Sequence, residues 1–275
     1  MIPSGIITFL TDFGLTDPYV GVMKGVVLDI NPGATIVDIS HGVQPGDILG
    51  ASFLLMESYS YFPRGTIHVV VVDPGVGTSR RPLIIVTDEY FFVGPDNGVF
   101  SRLIHDRAPK AIIHLANTAF FRHPVSNTFH GRDVFAPVAA HLSLGADPQD
   151  MGVPIKDPVK LSIPAPIKDG KRLQGQVIRV DRFGNLITNI SATSLKPYLD
   201  SGRDNLMITA GPIKIRQISS TYGDVPVNQE LAIIGSSGFL EISVNQGRAD
   251  KKVDEVGKVI GMPVVVEAVG ERQDT

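Results

Sequence analysis

Along the first half of the chain, short apolar runs alternate with stretches whose apolar residues recur at helical spacing. Ile6–Leu10 reads as a strand and Thr11-Asp12-Phe13-Gly14 as the loop after it. Asp17-Pro18 opens a helix to about Ile30, with Val20, Met23, Val26, Val27 and Ile30 on one face, and Asn31-Pro32-Gly33 stops it. Thr35–Ile39 predicts a second strand ending at Ser40-His41-Gly42. Asp47 suits the cap of a helix to Tyr59. After the turn Pro63-Arg64-Gly65 comes a third strand, Thr66–Val72. Its run Val69-Val70-Val71-Val72 fits burial on both faces. Strand, helix, strand, helix, strand implies a parallel sheet with helical crossovers.

The pattern then changes. Leu83–Val86 and Tyr90–Val93 predict a hairpin turning at Asp88-Glu89, Val99–His105 a short helix and Ala111–Leu115 another strand. Thr128-Phe129-His130-Gly131-Arg132-Asp133 leads into an apolar helix ending near Gly145, whose free N–H groups would favour an anion. From Met151 to Leu173, Pro154, Pro158, Pro164 and Pro166 suggest a linker. Short strands follow: Gln174–Val180, Leu186–Ile190, Leu206–Ala210, Ile213–Ile218, Leu231–Ile234, Phe239–Val244 and Val264–Ala268. They predict a small antiparallel barrel or sandwich. The expected fold class is α/β: an α/β domain over 1–160 with a mainly parallel sheet, a proline-rich linker over 161–172, and an antiparallel β-barrel domain over 173–275. Glu271–Thr275 should fray.

Composition narrows the partners. Of 275 residues, 43% are apolar, enough for a sizeable core, and the net charge of −3 comes with no basic run, which argues against nucleic acid. With no cysteine, disulfides, thiolate metal ligands and a cysteine nucleophile are excluded. No apolar run approaches a membrane span, and Met1-Ile2-Pro3-Ser4-Gly5 shows no basic start of a signal peptide, so a cytoplasmic protein is expected.

Candidate chemistry gathers on the loops. Asp73 ends the most apolar strand, and Arg80 follows on the same loop. In open α/β sheets, ligands bind beyond the carboxyl ends of strands, so Asp12, Asp73 and His130 could share one rim. Three readings fit them: an acid/base hydrolytic site aided by Arg80, a metal site, or ion-pair scaffolding. The spacing matches no compact metal motif, so no metal is expected. His41, His68, His105, His114, His123 and His141 carry no local context that marks them. In the second half, Asp181-Arg182-Phe183-Gly184-Asn185 reads as a hairpin loop. It could equally hold an amine with Asp181, stack a flat ring on Phe183 and read a base edge with Asn185. Gly235-Ser236-Ser237-Gly238 is a turn whose N–H and hydroxyl groups would suit a carboxylate. The dinucleotide fingerprint is absent after the first strand.

Five ordered motifs together resemble the S-adenosyl-L-methionine hydrolase family, the SAM hydroxide adenosyltransferases, whose relatives include fluorinases and chlorinases. They are Phe9-Leu10-Thr11-Asp12-Phe13-Gly14, Asp73-Pro74-Gly75-Val76-Gly77, Pro95-Asp96-Asn97-Gly98, Phe129-His130-Gly131-Arg132-Asp133 and Asp181-Arg182-Phe183-Gly184-Asn185. The resemblance implies hydrolysis of S-adenosyl-L-methionine to adenosine and L-methionine without a cofactor or metal. It implies a homotrimer with substrate held between subunits. It implies Asp73, Arg80 and His130 around the attacking water, Asp12 on the ribose hydroxyls, Asn185 on adenine, and Asp181 with Ser236 at the methionine end. The halogenating relatives place tyrosine where this chain has Asp73, and the fluorinating one a serine where it has Gly131, so halide transfer is not expected. The alternative is a non-catalytic sensor of adenosine or S-adenosyl-L-methionine.

Overall fold

The computed structural model describes residues 1–199, 206–253 and 258–268. The chain divides into two compact units, Met1–Ile163 and Pro164–Thr275.

The first unit runs β1 (Ile6–Thr11), α1 (Tyr19–Ile30), β2 (Thr35–Ser40), α2 (Ile48–Ser58), β3 (Ile67–Val71), β4 (Pro82–Val86), β5 (Phe91–Pro95), α3 (Ser101–Asp106), β6 (Ala111–Leu115), α4 (Ala136–Ser143) and β7 (Gly152–Pro154). One seven-stranded sheet has the order β2-β1-β3-β5-β4-β6-β7. Its β2-β1-β3-β5 half is parallel; β4, β6 and β7 add antiparallel pairings. Alternate side chains of each strand face opposite layers. Ile7, Phe9, Ile67, Val69 and Val71 pack with α1 through Met23 and Val27, and with α4 and the residue before it through Val138 and Phe135. Leu10, Val70 and Val72 pack with α2 and α3 through Ala51, Leu55 and Leu103. The valine run is thus buried on both faces, each side chain contributing roughly 1.5–3 kcal/mol.

α1 opens at Asp17-Pro18 as expected, with Pro18 in the capping position and no side-chain cap bond. Asp47 does cap α2, accepting the Gly50 N–H at 2.8 Å. The proline-rich stretch read as a linker holds two short strands, β7 and β8 (Ile167–Asp169), paired to β6 and β9. Both lie at sheet margins, where proline is tolerated.

The second unit continues with β9 (Arg172–Val180), β10 (Leu186–Ser191), α5 (Ala192–Leu199), β11 (Leu206–Ala210), β12 (Ile213–Ile215), β13 (Ile218–Ser219), β14 (Glu230–Ile234), β15 (Phe239–Val244), α6 (Ala249–Val253) and β16 (Pro263–Ala268). The strand order is β12-β11-β16-β9-β10-β15-β14-β13, with β8 on β9. β12 lies against β14, so the sheet curls into a nearly closed barrel around Val177, Leu186, Ile208, Leu240, Ile242 and Val264. The stretch Ile213–Ile218, expected as one strand, is split into β12 and the start of β13, and β13 pairs parallel to β14. The expectation for Glu271–Thr275 lies outside the described residues.

Candidate functional site

β1 and β3 run parallel in register, Thr11 opposite Val71, so the residues that follow them emerge at one rim. Asp73 turns back there onto Arg80. The Arg80 Nε donates to both Asp73 oxygens at 2.9 Å, and Nη2 donates to Oδ2. Both side chains are nearly buried, 5% and 8% exposed. Charge-assisted contacts of this kind are strong when water is excluded. The same Nη2 donates to Nδ1 of His130 at 2.7 Å. Arginine offers no acceptor and keeps its proton. Nδ1 must therefore accept, and the neutral ring carries its proton on Nε2. Burial, then the Arg80 charge, lower the His130 pKa; Asp73 and Asp133 oppose them. Arg80 Nη1 is buried without a hydrogen-bond partner among the described residues. The guanidinium lies 5.2 Å from the Phe135 ring centroid.

Local backbone makes this meeting possible. Gly77 has φ +77°, and a Cβ there would sit 2.1 Å from the Asn127 carbonyl, so only glycine lets the β3–β4 loop lie on the segment before His130. His130 precedes a π-helical turn, Gly131–Phe135, that leads into α4. The N–H groups of Arg132 and Asp133 both bond the Phe129 carbonyl, so this helix start is not the open anion site its sequence suggested. Asp133 is fully buried. It accepts from Ser126 N at 2.8 Å and from Arg132 at 2.6 and 2.8 Å. Burial opposes its charge; the Arg132 and Ser126 bonds and the Arg122 charge outweigh it and lower its pKa. Asn97 donates to the Val72 carbonyl at 2.8 Å, pinning the chain next to Asp73.

Asp12 adjoins this cluster without touching it. Its Oδ2 accepts from Gly46 N at 2.8 Å. A Cβ on Gly46 would lie 4.0 Å from Pro74, so the Gly46 turn stands between Asp12 and the Asp73 loop.

In the second unit, Asp181 and Asn185 close one tight turn. Asp181 accepts from Asn185 N at 2.9 Å and from its side-chain Nδ2 at 2.8 Å. Gly184 between them has φ +88°. Phe183 is 76% exposed and leaves its ring face open, while Asn185 is buried. Ser236 lies on the turn from Gly235 to Gly238, closed by Gly238 N on the Gly235 carbonyl at 2.9 Å. Neighbouring Ser237 has a buried hydroxyl with no partner among the described residues. Glu241, packed against Gly235 of the same turn, accepts from the Tyr222 hydroxyl at 3.0 Å. Burial, reinforced by Glu241, pushes the Tyr222 pKa up to about 12.

Two family models match this chain: the SAM hydroxide adenosyltransferase N-terminal domain over residues 7–152 and the C-terminal domain over 175–255. The chain belongs to the SAM hydroxide adenosyltransferase family. Its relatives include a protein of Thermus thermophilus named (R)-S-adenosyl-L-methionine hydrolase, 37% identical over 93% of this chain and 97% of the relative. A fluorinase of Actinoplanes is 28% identical over 87% of this chain and 91% of its own. The crystal structure of an uncharacterized conserved protein from Thermotoga maritima superposes with a TM-score of 0.87 at 37% identity, covering 94% of this chain and 99% of that one.

Within this family member, the first unit brings Asp73, Arg80 and His130 into direct contact, with Asp12 one turn away. The second unit brings Asp181 and Asn185 together, with Phe183 on the same turn. Asn97 and Asp133 were visible as letters of motifs, but their partners, a strand-end carbonyl and a loop N–H, leave no sequence signal. Among the described residues, no group of three or more His, Asp or Glu is placed to hold a metal ion. No helix among them is long and apolar enough to cross a membrane.

Proposed function

We propose that this chain hydrolyses S-adenosyl-L-methionine to adenosine and L-methionine, with water attacking the ribose C5′. The observation that carries the reading is the Asp73–Arg80–His130 cluster in a chain of this family. The sulfonium leaves as the neutral thioether of methionine and needs no acid. The difficulty is the nucleophile, because bulk water has a pKa of about 15.7. Asp73 takes a proton from the attacking water. The oxygen closes a bond to C5′ as the C5′–S bond breaks, and that bond's electrons go to sulfur. Arg80, with its buried Nη1, stabilises the developing hydroxide. His130 spends Nδ1 on Arg80 and keeps a proton on Nε2, so it orients water as a donor. Hydroxide and sulfonium neutralise each other, so a dry pocket favours the transition state.

Asp12 holds the ribose hydroxyls. Asn185 reads adenine, Phe183 stacks on it, and Asp181 with Ser236 holds the methionine end. No cofactor and no metal take part. The working form is a cytoplasmic homotrimer with its site shared between subunits, and neither nucleic acid nor a membrane is a partner. The names of the relatives single out the (R) sulfonium epimer, so both epimers belong in the assay.

Purified protein incubated with each epimer should release adenosine and methionine in equal amounts, and exhaustive chelation should leave the rate unchanged. Tight binding without product would favour the sensor reading. Loss of activity on chelation would point to a metal hydrolase.

A further inference from the structure

Behind Asp12 lies a buried polar chain that none of the roles above uses. Thr11 is fully buried and His41 is 5% exposed. Thr11 Oγ1 lies 2.8 Å from His41 Nδ1. His41 Nε2 lies 3.1 Å from Asp38 Oδ1, a charge contact too bent for a hydrogen bond, so Nε2 has no hydrogen-bond partner among the described residues; the other Asp38 oxygen accepts from Lys24 Nζ at 2.6 Å. Burial opposes the Asp38 charge, but Lys24 and His41 outweigh it and lower its pKa.

The ionised Asp38 oxygen 3.1 Å from Nε2 favours by its charge the ring tautomer that carries its proton there. Nδ1 is then an acceptor, and the Thr11 hydroxyl donates to it. The Thr11 oxygen still accepts the Phe13 N–H at 3.2 Å. The His41 carbonyl takes the Gly14 N–H at 2.8 Å. His41 therefore grips the loop on both sides of Asp12, once through its ring and once through its backbone. Asp12 spends Oδ2 on Gly46 and has no hydrogen bond to Oδ1 among the described residues. A carboxylate with one free oxygen reads a pair of hydroxyls only if its loop is held at a fixed angle.

We propose that Thr11, His41 and Asp38 form a positioning relay that sets the Asp12 carboxylate for the ribose hydroxyls, so that Thr11 and His41 are positioning residues for nucleoside binding. The proposal rests on the assignment of Asp12 to ribose.

The test compares adenosine with 2′,3′-dideoxyadenosine by calorimetry. Wild-type protein should bind adenosine more tightly. Thr11→Val keeps the shape and deletes the hydroxyl. It should weaken adenosine about tenfold, on the scale of one misaligned hydrogen bond, and leave the dideoxy ligand unchanged. Thr11→Ser should restore wild-type affinity. If Thr11→Val does not fold, Asp38→Ala at the half-exposed end of the relay carries the same comparison, with a loss of about threefold. Equal weakening of both ligands would overturn the relay and leave a structural role. If wild-type protein itself does not distinguish the two ligands, the ribose assignment fails and the relay with it, whereas the hydrolysis assay still stands alone.

Discussion

The Arg80 guanidinium donates to His130 Nδ1 at 2.7 Å while its Nε chelates Asp73 at 2.9 Å, so one cation orders both partners of the cluster. Removing Arg80 frees both at once. If all three act on water as proposed, Asp73→Asn, Arg80→Ala and His130→Ala should each lower kcat by about 10²-fold or more, with KM changed far less. Steady-state kinetics on correctly folded variants check this. Near-full turnover in all three would show that the catalytic set is wrong.

The bond from Arg80 also fixes a pH sign. It needs neutral His130, and burial with the Arg80 charge holds the His130 pKa below its ordinary 6.5. The ring should stay neutral and the bond intact down to and below that pH. An NMR titration of the His130 imidazole should give a midpoint under 6.5; a midpoint above it would mean that Asp73 and Asp133 dominate the field.

His68 predicts the acid limb of stability. It is fully buried, hydrogen-bonded to Thr8 at 2.8 Å and stacked on Phe92 at 5.1 Å. Burial pushes its pKa down to about 3. Between about 3 and 6.5 the unfolded chain binds a proton that the folded chain refuses. Stability is therefore lost as pH falls through that window, by on the order of a few kcal/mol. The double variant Thr8→Val, His68→Phe removes the proton site without leaving an unpaired hydroxyl. Denaturant melts from pH 7 to 4 should show a shallower loss for the variant; identical slopes would contradict this.

Much of this was legible because the first half obeys local rules. Val69–Val72 can hardly be anything but a buried strand, and Asp47 announces α2. The elements that were missed break those rules. α5 contains Pro197 and opens on Ala-Thr-Ser, and α6 spans five residues, three of them charged. β7 and β8 gain strand character only from their edge pairings. The rim residues Asp12, Asp73, Arg80 and His130 could be named from loops and motifs. His41 could not, since its ring partner Thr11 is thirty residues away in sequence.

Halide should not replace water. A halide about 4 Å from the Asp73 carboxylate meets roughly 4 kcal/mol of repulsion at an effective dielectric of 20, of which the paired Arg80 charge offsets part. A Cβ at Gly131 would stand 3.0 Å from Met23 Sδ and 3.3 Å from the Phe129 ring, so Gly131→Ser cannot install a hydroxyl without moving both. Chromatography after incubation in high fluoride or chloride should show adenosine as the main product for wild type and for Gly131→Ser. A dominant 5′-halogenated nucleoside would refute this.

A site shared between subunits predicts complementation. Asp73→Asn and Asn185→Ala should each be strongly impaired alone. Unfolding and reassembling the mixture should restore part of the activity, because some sites then combine an intact Asp73 with an intact Asn185. No recovery at any ratio, with assembly confirmed by light scattering, would place each site within one chain.

The attack of water on C5′ is the claim on which the rest depends, and oxygen-18 water tests it most directly. Single turnover in labelled water should put one heavy oxygen at the 5′ hydroxyl of adenosine and none in methionine. Unlabelled adenosine, or release of free adenine with the label on the sugar, would contradict the account.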